Sequence, residues 1–341
     1  PAYGLTGSDM INLNGRNSCY AWHGNGRSGQ YADYNRRQKM KLGFVSAILP
    51  EYSFEQVIDF AADNGMDCVE IMCWPKGKAE RRYAGVTHID VDTLDKDKAA
   101  YINDYLARKG VIISALGYYP NPLDADLKQR SVFIEHIKKC IRGAALLGLK
   151  NFNTFIGKDP LKPIAENFEE FKKVWPDIVK VAEDYDVKIG IENCPMYFRD
   201  EWPGGKNLAS SPHMWREIFG YIDSPNLGLN YDPSHLVWQR MDYIKPIYEF
   251  KDKIFHFHIK DAKFYQDRYN EVGIFAAPLD YQEPKLPGLG DVDWGKTISA
   301  LTDIRYKGCA VIEVEDRAFE DTLEDRLYSI LLSKRYMNQF I

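Results

Sequence analysis

IFHFHIKD, residues 254–261, places two of the chain's seven histidines two positions apart, so both lie on one face of an extended segment. The run is otherwise apolar and ends in a lysine and an aspartate, the pattern of a buried strand whose tip meets a polar surface. Seven other runs share that character: KLGFVSAI (41–48), CVEIMCW (68–74), VIISALGYY (111–119), NFNTFIG (151–157), KIGIENC (188–194), LGLNYDPSH (227–235) and CAVIEVED (309–316). Helical patterns separate them. SFEQVIDFAADNG has Ser53 as N-cap candidate and a glycine stop. VFIEHIKKCIRGAALLG, NFEEFKKVWPDIVKVAEDYD, SPHMWREIFGYI and WGKTISALTDIRYKG follow, and DTLEDRLYSILLSKRYMNQF closes the series. Pro176 inside the third pattern predicts a kink. Near-continuous apolar strands alternating with helices predict a parallel sheet covered on both faces. Eight such units predict an α/β fold, a single (β/α)8 barrel over residues 40–341 with extended loops at its C-terminal face.

The first 39 residues differ: they are rich in Gly, Asn, Arg, Ser and Tyr and have no sustained period, whereas MKLGFVSAI at Met40 looks like a natural start. They are read as an N-terminal extension, whether a tag, an upstream translated segment or an arm packed by its aromatics. A net charge of −5 argues against a nucleic-acid partner, which a basic face would advertise. No apolar run reaches the length of a membrane span, and no signal-peptide core is visible. The six cysteines form no CxxC pair and several sit in apolar runs, so they are read as reduced and mostly structural, as suits the cytoplasm.

Chemistry in such a barrel sits at the C-terminal strand ends. The last four strands carry Glu192, Asp232, His258 and Glu313 there. An unpaired buried carboxylate is costly, so three together call for a cation. An oxygen-rich set with one nitrogen suits Mn²⁺, with Mg²⁺ or Co²⁺ as alternatives, better than a thiolate-type zinc site. His258 is expected to reach the ion. His256, two residues earlier, lies one layer deeper, either as a hydrogen-bonded core residue or as a contact to substrate. His235 is a candidate substrate contact, with a loop or capping role as the bland alternative. Lys260 would place a positive charge over a substrate oxygen, or would simply be a surface residue. Glu315 and Asp316 fit salt-bridged rim carboxylates. Glu70, buried by pattern, is expected to partner a lysine and is not read as catalytic.

With these residues assembled, GIENC, NYDPSHLVW, IFHFHIKDA, LPGLGDVDW and VIEVED, in that order, resemble the xylose-isomerase-like barrel superfamily of sugar-phosphate isomerases and epimerases. The resemblance spans about Met40 to the C-terminus. It implies a divalent metal on Glu192, Asp232, His258 and Glu313, and an acid/base pair, Glu192 and Glu313, on opposite faces of a sugar. It also supports His235 as a substrate contact. A metal chelating a ketose carbonyl and hydroxyl would stabilise an enediolate, with the two glutamates moving the proton.

The expected activity is thus a metal-dependent isomerase or epimerase of a sugar or keto-sugar. The alternative within the same superfamily is a lyase of 3-oxo-glycosides, including C-deglycosidase catalytic subunits, which would use the same enolisation to expel an aglycone. Aromatic loops at 74–88, 200–213 and between His258 and Glu313 favour a glycoside-sized pocket; the rival reading of those loops is a subunit interface. No Gly-rich phosphate cradle is apparent. An apurinic-site endonuclease, whose fold is similar, would need more histidines at the ends of strands two to four. A binding protein without turnover would be expected to have a broken ligand set. A homo-oligomer is expected, and a small partner subunit if the lyase reading holds.

Overall fold

The computed structural model describes residues 40–77, 83–197 and 204–341. Eight parallel strands close into a barrel: β1 (Lys41–Val45), β2 (Cys68–Met72), β3 (Ile112–Gly117), β4 (Asn151–Thr154), β5 (Lys188–Glu192), β6 (Leu227–Tyr231), β7 (Ile254–Ile259) and β10 (Cys309–Ile312). All eight fall within the runs singled out in the sequence. β8 (Asp261–Phe264) and β9 (Gln282–Lys285) pair antiparallel as a separate hairpin within the long segment after His258.

The covering helices are α1 (Phe54–Asp63), α2 (Lys96–Lys109), α3 (Leu127–Leu146), α4 (Ile164–Asp184), α5 (Pro212–Tyr221), α6 (Trp294–Asp303) and α7 (Leu323–Met337). Ser53 caps α1 as expected. Its hydroxyl accepts from the Gln56 amide while the Gln56 side chain accepts from the Ser53 amide, a reciprocal capping box. α2 was not visible in the apolar pattern, because only Ala99, Ile102 and Leu106 are buried along a mostly charged segment. Its signals are at its ends: Asp95 accepts from the Lys98 amide, and Gly110 closes the helix at φ +68°. α4 runs on through Pro176.

Between strands and helices, Trp175 and Trp215 from the helices and Phe152, Phe257 and Ile71 from the strands are fully buried. Buried tryptophans need a hydrogen-bond partner. Trp175 Nε1 donates to the Ile156 carbonyl at 2.9 Å and Trp215 Nε1 to that of Ala209 at 2.7 Å. The barrel interior is polar instead: Glu70, Ser114, Asn230, His256 and His258 are all buried and bond to one another across it. Among the described residues, no helix is long and apolar enough to cross a membrane.

Strand packing at β1 leaves no room for a side chain at Gly43. A Cβ there would lie 2.0 Å from the Cys68 carbonyl oxygen, which the strand backbone cannot move aside. Gly43→Ala is therefore expected to destabilise the barrel by about 3 kcal/mol or more, read as a lowered thermal midpoint. An unchanged midpoint would mean that β1 and β2 sit further apart.

Candidate metal centre

β5, β6, β7 and β10 bring their C-terminal ends together, and with them Glu192, Asp232, His258 and Glu313. One ligand atom from each lies within 4.8 Å of the others. His258 Nδ1 is 3.3 Å from Glu313 Oε2 and 3.8 Å from Glu192 Oε1. Two of these buried atoms, His258 Nδ1 and Asp232 Oδ2, make no aligned hydrogen bond with the protein, although the Lys260 ammonium stands 3.1 Å from Asp232 Oδ2. Buried polar atoms are ordinarily satisfied. Two orphans that belong to one cluster of carboxylate and imidazole donors fit a hard divalent cation.

The surroundings hold those ligands in place. Glu70 Oε2 lies 2.8 Å from His258 Nε2, so the ring donates to the carboxylate there, and Nδ1 would offer its lone pair to a cation that displaces its proton. The Tyr119 hydroxyl donates to the other Glu70 oxygen. Glu70 thus partners two histidines and a tyrosine, not the lysine expected from sequence; His256 Nδ1 is its third neighbour at 3.7 Å. Asp232 is fixed by Asn193, whose amide donates to the Asp232 carbonyl and whose carbonyl accepts from the Asp232 amide, both at 2.8 Å. The Ser234 amide takes Asp232 Oδ1 at 2.8 Å, leaving Oδ2 for the cluster. Asn193, Asn230 and Tyr119 were not singled out in the sequence. Glu70, an acid inside an apolar strand, was the available signal.

Lys260 is buried, not a surface residue. Its Nζ lies 2.6 Å from Glu313, 3.1 Å from Asp232 and 3.1 Å from Glu315. Burial opposes its charge, but these carboxylates outweigh it and raise its pKa well above the ordinary lysine value. Burial pushes Glu313 up, yet Lys260 and His258 hold it down at about 2. Burial likewise disfavours a charged His258, while Glu70 and Glu313 raise it well above the usual value. His235 joins the cluster: its Nε2 is 3.3 Å from both Glu192 Oε1 and Asp232 Oδ2. Asp316 lies 3.5 Å from Lys285, a rim pair as expected.

His256 lies beneath the cluster, fully buried and outside the cavity. Its Nδ1 and the Asn230 carbonyl oxygen are 2.9 Å apart, and its Nε2 and the Ser114 hydroxyl 3.0 Å. Burial brings its pKa down to about 4, so the ring is neutral, donating to Asn230 and accepting from Ser114.

Above the cluster opens a cavity of about 290 Å³. Glu192, His235, Lys260, Glu313 and Glu315 form its polar floor, with Arg317 also in the lining. Trp74, Tyr83, Phe155, Tyr197 and Trp238 are among its walls, and Leu279, Gln282 and Pro284 reach it from the segment after His258. Asp261 fastens that segment, accepting from the Gly288 and Val292 amides and from Trp294 Nε1, each at 3.0 Å. Gly290 must be glycine here, since a Cβ would lie 2.2 Å from Asp261 Oδ1. The middle of the 74–88 loop and the start of the 200–213 loop lie outside the described residues.

Because Glu70 orients His258, Glu70→Gln is expected to weaken Mn²⁺ affinity by about 10–100-fold with the fold retained, as calorimetric titration and circular dichroism would show. Unchanged affinity would remove Glu70 from the support of the centre.

The sequence model of the xylose isomerase-like TIM barrel family matches residues 58–331. An inosose dehydratase of Bacillus velezensis is 26% identical over 261 residues, covering 65% of this chain and 82% of that protein. Two solved structures share the fold. D-psicose 3-epimerase, determined with D-fructose, superposes with a TM-score of 0.65 at 14% identity, over 88% of this chain and 99% of the other. The IOLI protein, determined with a bound zinc atom, gives 0.64 at 18% identity, over 89% and 99%. The closed eight-stranded barrel and the family match over most of its length agree: the chain belongs to the xylose isomerase-like TIM barrel family, which includes sugar-modifying enzymes.

Proposed function

We propose that this chain is a divalent-metal-dependent isomerase or epimerase of a sugar or keto-sugar, with Glu192 and Glu313 as its proton-transferring pair. The observation that carries this reading is the cluster of Glu192, Asp232, His258 and Glu313, of which Glu192 and Glu313 reach the cavity, with two buried atoms that make no aligned hydrogen bond. These four residues would hold the ion. Mn²⁺ is the proposed occupant because the set is oxygen-rich with one nitrogen; Mg²⁺ and Co²⁺ suit the same donors. Bound there, a divalent cation supplies Lewis acidity toward a carbonyl and its neighbouring hydroxyl, which acidifies the adjacent C–H.

The remaining steps belong to the protein. Glu192 ends β5 and Glu313 follows β10, and β6 and β7 stand between them in the barrel, so the two carboxylates meet a bound sugar from different sides. One takes the proton from carbon and the other returns it, which inverts or shifts the centre. Lys260 favours ionised Glu313, the form a base requires, and offers its ammonium to a developing oxyanion. His235, which lines the cavity, would donate to a substrate hydroxyl. The aromatic walls exclude water and give a sugar ring or an aglycone a face to stack on.

Those walls favour a second reading, elimination from a 3-oxo-glycoside, which begins with the same proton loss. The relative whose name describes a dehydration supports elimination as well. The test is an assay of the Mn²⁺-loaded protein in D₂O with free keto-sugars and 3-oxo-glucosides side by side. Solvent deuterium on carbon with an intact skeleton is expected, and Glu192→Gln or Glu313→Gln should each slow it by about 10²–10⁴-fold. Aglycone release would move the assignment to the lyase. Full activity in both glutamine variants would contradict the acid/base pair.

A further inference from the structure

Four described cysteines, Cys68, Cys73, Cys140 and Cys309, are buried away from the cavity. Cys194 is different: it follows Glu192 by two residues and lines the cavity with Glu192 and His235. One ligand atom from each of these three residues lies within 4.8 Å of the other two. The backbone is fixed to suit, since the Asn207 side-chain amide donates to the carbonyls of both Glu192 and Cys194 at 2.8 Å.

We propose that Glu192, Cys194 and His235 form a second cation site, beside the first and sharing Glu192 with it. It would take a soft divalent ion such as Zn²⁺ and stop turnover when filled. Thiolate, imidazole and carboxylate make a zinc ligand set, and three protein ligands leave a fourth position for water. The neighbouring cluster has no sulfur, so the two sites sort ions by softness. On binding, the Cys194 S–H proton leaves to solvent and the thiolate forms the bond to the metal. The cavity provides the entry path. Blocking of turnover rests on the proton-transfer role proposed for Glu192; the binding does not.

Cd²⁺ is the probe, because a cadmium–thiolate bond produces an ultraviolet charge-transfer band that oxygen and nitrogen ligands do not. Wild type and Cys194→Ala, both loaded with Mn²⁺, and Asp232→Asn, whose first site is impaired, would be titrated in parallel. The expected result is a saturable band in wild type and in Asp232→Asn that is missing from Cys194→Ala. Zn²⁺ inhibition should weaken by more than about 100-fold in the alanine variant, beyond what loss of a supporting residue alone costs. Cys194→Ser, nearly isosteric, repeats the loss should the alanine variant fold poorly. Bands of equal height in wild type and Cys194→Ala would place the thiolate elsewhere and overturn the site, as would no band at all. A band that depends on Cys194 without zinc inhibition would overturn the blocking claim and the role given to Glu192, and leave the site standing.

Discussion

Charge compensation at the buried strand ends is the constraint on which the centre depends. Glu192, Asp232, Glu313 and Glu315 surround the ammonium of Lys260, and Glu70 stands directly beneath His258. Carboxylates taken out of water must be matched by positive charge or protonated. Their field holds Lys260 charged and raises the pKa of His258 despite burial, while at His235 burial is outweighed by Cys194 and then Asp232. Even so, three cationic groups face five carboxylates. A divalent ion entering the cluster replaces protons on the imidazoles, charge for charge. The concentration of acids is costly to the fold and becomes an asset only when a cation is bound.

The barrel meets this constraint by dividing the work among layers. At the lowest, His256 joins Ser114 to Asn230 in a neutral hydrogen-bonded bridge. Above it, Glu70 and Tyr119 set the orientation of His258. At the top of the stack, Glu192 and Glu313 line the cavity, with Asp232 and His258 buried beside them. The segment after His258 then reaches over the cavity, anchored by Asp261 and by Gly290, whose missing side chain lets the backbone approach that carboxylate.

The strands are legible because each is a short apolar run between helical patterns, and the four clustered residues, Glu192, Asp232, His258 and Glu313, because each stands near the end of its run. Local sequence says less about pairings across the barrel. Glu70 and His258 are 188 positions apart, and nothing near CVEIMCW names the partner of Glu70, so local sequence points only to a generic cation. The mutual bonds of Asn193 and Asp232 likewise depend on β5 and β6 lying side by side. Lys260 read as ambiguous because burial at a strand tip is decided by the neighbouring loops. α2 escaped because a narrow buried stripe on a charged helix leaves little apolar period to detect.

The most direct measurement is an anomalous difference map from a crystal of the protein equilibrated with Mn²⁺. One strong peak is expected, bounded by Glu192, Asp232, His258 Nδ1 and Glu313, with Lys260 remaining against Glu315. No peak, with the Lys260 ammonium holding Asp232 and Glu313 as its only cation, would contradict it and make the lysine the resident charge of the site.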